Sequence, residues 1–132
     1  MRQIATGCQK IRWQPPKCKP GFPKAAGEVR YGPASCRMVV QFSAPENYPS
    51  AQAISARFLP QLEQHLAERE FLATSLPTIA DLACYSYVAV APEGGVSLKP
   101  FPAIQHWLDR IAALPGFFPM PALPLPDQAV GQ

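Results

Sequence analysis

The chain has 132 residues, 48% of them apolar, with 17 prolines and a formal net charge of +3. That length suits one domain, which buries about 60% of its unfolded surface. No apolar run is long enough to cross a membrane, and no secretory h-region opens the chain. Cys8, Cys18, Cys36 and Cys84 form no C-x-x-C pair, so no metal site is expected. Free thiols fit a cytoplasmic chain.

Charge and proline are unevenly placed. Residues 1–24 carry Arg2, Lys10, Arg12, Lys17, Lys19 and Lys24 with no acid, a balance of +6, whereas the remainder balances at −3. With Pro15, Pro16, Pro20 and Pro23, this basic arm is expected to be disordered. Basic arms attract nucleic acid, but only Trp13 and Phe22 offer stacking surfaces, so nucleic acid is not the expected partner. Residues 25–120 form the folded domain, and residues 121–132 a second proline-rich tail.

The first predicted helix lies between Glu28 and Phe42. Pro33 either sits in its first turn or kinks it. The second has Ser50 as a candidate N-cap and apolar Ile54, Phe58, Leu62 and Leu66 on one face, with a bend at Pro60. Glu63, Glu68, Arg69 and Glu70 are expected to form its solvated outer face.

Pro77-Thr78-Ile79-Ala80-Asp81 opens the third helix, which is expected to run to about Val90. Thr78 and Asp81 form a capping box, a shorter variant of the Ser/Thr-x-x-Glu pattern, and Asp81 meets the positive end of the helix dipole. Pro77 and Leu82 occupy the positions of a hydrophobic staple. Ile79, Leu82, Ala83, Ser86 and Val90 are the predicted inward stripe, and the scarcity of charge after Asp81 predicts burial nearly all round. As a cap alone, Asp81 is expected to be worth about 1–2 kcal/mol. The loop Pro92-Glu93-Gly94-Gly95 ends the helix. A fourth helix follows Pro100 and Pro102, with Ile104, Trp107, Leu108, Ile111 and Leu114 as its core face, and stops at Pro115-Gly116. These elements specify an all-α, antiparallel helical bundle.

Around the capping box stand Phe71-Leu72, Ala83-Cys84-Tyr85, Glu93-Gly94-Gly95, Pro100-Phe101-Pro102-Ala103-Ile104, Trp107-Leu108-Asp109-Arg110-Ile111 and Pro115-Gly116-Phe117. This ordered set resembles the C-terminal all-helical domain of bacterial-type glutathione S-transferases. In that family a thioredoxin-like α/β half holds glutathione, the co-substrate, and presents the activating Tyr, Ser or Cys. The helical half walls the pocket for the electrophile. The resemblance covers the helical half only, and residues 1–24 carry no thioredoxin-like motif. It implies that Tyr31, Ala34 and Arg37, around a Gly-Pro step typical of the first helix, line the electrophile wall.

No catalytic residue is assigned. Ionising a thiol requires a positioned donor or dipole. Tyr31, Tyr48, Tyr85 and Tyr87 are read as packed residues, and His65 and His106 as surface groups. The expectation is therefore a transferase-like chain that is inactive alone and binds no cofactor by itself. The alternative is a non-enzymatic interaction module built on the same helical domain, as the family resemblance also allows. In either case an exposed apolar face is expected to meet a second copy or another protein.

Overall fold

The computed structural model describes residues 27–126. These residues contain helices and no strand, so the fold is all-α. A π-helical turn, Arg30–Ala34, runs into α1 (Ser35–Phe42). It is followed by α2 (Tyr48–Ala67), α3 (Ile79–Val88), a 3₁₀ turn (Ala91–Gly94) and α4 (Pro102–Ala112). The arm at residues 1–24 lies outside the described residues.

Pro33 neither starts nor breaks the first helix. It lies within the π turn, where the wider winding accommodates a residue that has no N–H and whose ring crowds the preceding turn. The Ser35 hydroxyl donates to the Arg30 carbonyl at 3.0 Å, tying the two ends of the widened turn together. Gly32 lets α2 approach closely: a Cβ there would lie 3.0 Å from Ser55 Oγ and 3.1 Å from the Ser55 backbone nitrogen.

The cap of α2 differs from expectation. Asn47 Oδ1 accepts the Ser50 N–H at 3.0 Å, so Ser50 contributes its backbone and Asn47 is the cap. With Asn47 as the cap, Pro49 falls in the first turn, where its missing N–H costs nothing. The helix continues through Pro60, and Phe58, Leu59, Leu62 and Leu66 face the core.

Glu63 is also corrected. Its two carboxylate oxygens accept the Ala103 and Ile104 N–H groups, each at 2.9 Å. A side chain of α2 thus caps the N-terminus of α4, where exposed donors and the helix dipole favour an anion. His65 is likewise not a plain surface group, since its Nε2 lies 2.7 Å from the Leu72 carbonyl oxygen.

The face of α3 is rotated from the predicted one. Asp81, Cys84, Tyr85 and Val88 are buried, a spacing of three, four and seven residues that forms one helical stripe. Ile79 is 83% exposed and Leu82 41%, and Ala83 is exposed too, which overturns the all-round burial and all of the predicted stripe but buried Val90 and half-buried Ser86. Asp81 sets this rotation, because its carboxylate must turn inward to reach its partners. On α4, Ile104, Trp107 and Ile111 are fully buried as expected, with Leu108 and Leu114 half-buried.

Candidate functional site

Asp81 is the polar centre of the domain. It is fully buried, and its Oδ1 accepts the Leu72 N–H at 2.8 Å and the Trp107 indole N–H at 2.9 Å. Oδ2 accepts the Thr78 N–H at 2.9 Å and the Thr78 hydroxyl at 3.0 Å. The capping box is formed, and it is half of a larger arrangement. Four donors meet a carboxylate that has about four acceptor positions. Neither ion pair among the described residues includes Asp81, so these hydrogen bonds, with the positive end of the α3 dipole, offset the burial of its charge.

Tyr31, Ala34 and Arg37 take three different environments. Tyr31 is 59% exposed and opens on a groove of about 360 Å³ that it shares with Arg30, Ser35, Glu46, Asn47 and Ile54. The Arg30 guanidinium lies 5.7 Å from its ring centre. Ala34 is buried. Arg37 turns away from that groove: its Nε donates to Glu93 Oε2 at 2.6 Å, and its guanidinium lies 5.6 Å from the centre of the Phe42 ring.

Its sequence context places Glu93 only in a loop. It is a junction. Oε2 holds Arg37, Oε1 accepts the Leu123 N–H at 2.8 Å, and the Glu93 carbonyl accepts from Gln41 Nε2 at 3.0 Å. Burial opposes its charge, but the Arg37 and Leu123 contacts outweigh that and hold the carboxyl below its ordinary value. The partners lie 56 and 30 residues away, a pairing no local motif discloses.

The described thiols and two of the phenols are shifted away from ionisation. Burial pushes the Cys84 thiol up to about 11, reinforced by the Asp81 charge. Cys36 is raised by burial and further by Glu46, against the opposing pull of its contact with Ser55. Tyr48 and Tyr85 are also raised, first by burial. The Tyr48 hydroxyl donates to the Gly94 carbonyl at 2.8 Å, and the Tyr85 ring meets Phe117 edge-on at 4.9 Å. A donor to a bound thiolate must keep its proton and reach the pocket, and these four groups are buried or, for Tyr48, already hydrogen-bonded. No cluster of His, Cys, Asp and Glu suited to a metal ion occurs among the described residues.

A family model described as the glutathione S-transferase C-terminal domain matches residues 29–115. The chain is similar to a glutathione S-transferase of Xanthobacter autotrophicus Py2, with 28% identity and a TM-score of 0.66 over 83% of this chain and 60% of that one. It is also similar in fold to a possible glutathione S-transferase of Rhodopseudomonas palustris, with 23% identity and a TM-score of 0.65 over 82% of this chain and 55% of that one. The chain therefore spans less than two thirds of the length of either. No curated protein sequence matches it.

Proposed function

Because the chain belongs to the glutathione S-transferase family through its C-terminal helical domain, we propose that it supplies the electrophile-side wall of a transferase pocket and does not conjugate glutathione by itself. The observation that carries this reading is the state of its thiols and phenols. Cys36, Cys84 and Tyr85 are buried and the Tyr48 hydroxyl is committed to the Gly94 carbonyl, so none of these four presents a free donor to the thiolate that the reaction requires. Tyr31 is the residue retained as a wall contact, because it faces open space at the rim of a groove. Ala34 and Arg37 act behind it, packing the helix and fixing the 3₁₀ turn.

The chemistry divides accordingly. A helical wall raises the local concentration of an apolar electrophile and orients it, and lowering the thiol's ionisation barrier falls to another group. The purified chain, mixed with glutathione and 1-chloro-2,4-dinitrobenzene, is expected to show no conjugation above the uncatalysed rate. Turnover above that background, abolished by Tyr31→Phe, would place thiol activation within this chain and overturn the proposal.

A second reading rests on the outward face of α3. Leu76, Ile79, Leu82 and Tyr87 are 70%, 83%, 41% and 45% exposed, an apolar set that water does not favour. We infer that a protein surface covers it, in keeping with a family whose members commonly dimerise. No helix among the described residues is long and apolar enough to cross a membrane, and the free, buried Cys36 and Cys84 suit a reducing, cytoplasmic setting. Light scattering is expected to show self-association that Ile79→Glu weakens. A monomer at every concentration tested would count against a homodimer through this face.

A further inference from the structure

We propose that residues 119–126 form a proline-stiffened strap, latched to Glu93, that closes a cavity at the end of α3. The segment is extended and follows α4 without joining any helix. Pro119, Met120 and Ala122 form one side of a cavity of about 170 Å³, and Tyr85, Ser86, Ala89 and Val90 with Glu93 form the other. The strap is therefore a wall of that cavity.

Its attachment is local and polar. The Leu123 N–H donates to Glu93 Oε1 at 2.8 Å, and Gln41 Nε2 donates to the Pro124 carbonyl at 3.2 Å. The receiving side is fixed. Glu93 is held from the opposite side by Arg37. The next residue, Gly94, lies so close to α1 that a Cβ would sit 2.5 Å from the Arg37 nitrogen, and its carbonyl accepts the Tyr48 hydroxyl. The strap is the removable partner, since every residue from 118 to 126 is exposed.

Composition explains how so few bonds hold it. Pro119, Pro121, Pro124 and Pro126 have no N–H and fix φ near the extended polyproline value. The segment loses little conformational freedom on docking, and it cannot extend itself into a competing helix. Among its non-proline donors, the Leu123 N–H meets a carboxylate, and such charge-assisted bonds are the stronger kind. The charged and titratable groups about Glu93 and Gly94 are Arg37 and Cys36 from α1, Tyr48 from α2, and Tyr85 from α3 across the cavity. Only Arg37 opposes the carboxylate with a positive charge.

The sign of the pH dependence follows. A depressed carboxylate holds the latch fully above the ordinary glutamate value of 4.5 and releases it as pH falls through the lower folded value. Release opens the Tyr85–Val90 side of the cavity without disturbing Asp81, which lies elsewhere on α3.

Leu123→Pro removes the latching N–H and leaves the body of the domain untouched. In a 15N-labelled chain, the Ala122 and Leu123 amides are expected to relax like those of α4 at neutral pH. In the variant, Met120, Ala122 and Leu125 are expected to take the relaxation of a free tail. The Ala89 and Val90 methyls should then gain relaxation from a dissolved neutral gadolinium chelate, while the Trp107 indole resonance stays in place. Acid should produce the same change in the native chain before the Trp107 signal moves. Ordered amides in Leu123→Pro, or a freely mobile strap in the native chain, would overturn the proposal. So would loss of the Trp107 resonance in step with the strap, because the strap would then not be a separable element.

Discussion

Asp81→Ala is expected to lower the unfolding free energy by about 3–6 kcal/mol, a loss several times that of a helix cap alone. The larger figure follows from the partners. The substitution strands two buried donors, the Leu72 N–H and the Trp107 indole N–H, each costing about 1–3 kcal/mol when unpaired, and frees the part-buried Thr78 N–H, which adds less. The Thr78 hydroxyl can rotate toward solvent and adds little. Against a domain stability of about 5–15 kcal/mol, the variant should be largely unfolded at modest urea. Asp81→Asn should be nearly as harmful, because its amide nitrogen would point a donor at donors. Urea midpoints check this, and a double-mutant cycle with Trp107→Phe isolates the shared bond. A loss near 1 kcal/mol with no coupling to Trp107 would reduce Asp81 to a simple cap.

Gly94→Ala is expected to cost about 3 kcal/mol, the upper part of the usual range for overpacking. The added Cβ would lie 2.5 Å from the Arg37 nitrogen, 2.7 Å from the Cys36 carbonyl carbon and 2.9 Å from the Cys36 Cβ. Two of these are backbone atoms of a helix, which cannot yield as the tip of a long side chain would. The turn must therefore move away from α1, stretching the Arg37–Glu93 pair and the Tyr48 hydrogen bond at Gly94. Gly95, whose φ is +78°, makes the opposite comparison: an alanine there is strained by conformation and meets only the Tyr48 hydroxyl. Thermal melting distinguishes the cases, with Gly94→Ala melting well below the native chain. An unchanged melting temperature would mean that α1 and the 3₁₀ turn are not in close contact.

Local grammar carried the sequence reading as far as the elements. The Thr78–Asp81 box, the proline opening of α4 and the aliphatic repeat on α2 each announce themselves within a few residues, because caps and periodicity are short-range effects. The face that periodicity misassigned is that of α3. The apolar residues of α3 lie all around the helix, so periodicity alone had no basis for choosing a side. The choice was made by one acid reaching Leu72 and Trp107. Glu63 looked like a solvated charge for the same reason, since its function depends on a helix start 40 residues downstream. Glu93 and the strap are long-range in the same sense. Among the candidate wall residues, Tyr31 stands at a groove, whereas the Arg37 charge is already matched by Glu93.

We propose a helical domain that offers a wall but no means of ionising glutathione. Its most direct test is the ultraviolet thiolate absorption of glutathione titrated with the purified chain at neutral pH. The expected result is a thiol that ionises as it does in buffer, with no band growing in as protein is added. A saturable thiolate band at neutral pH would contradict it, because some group of this chain would then be stabilising the anion.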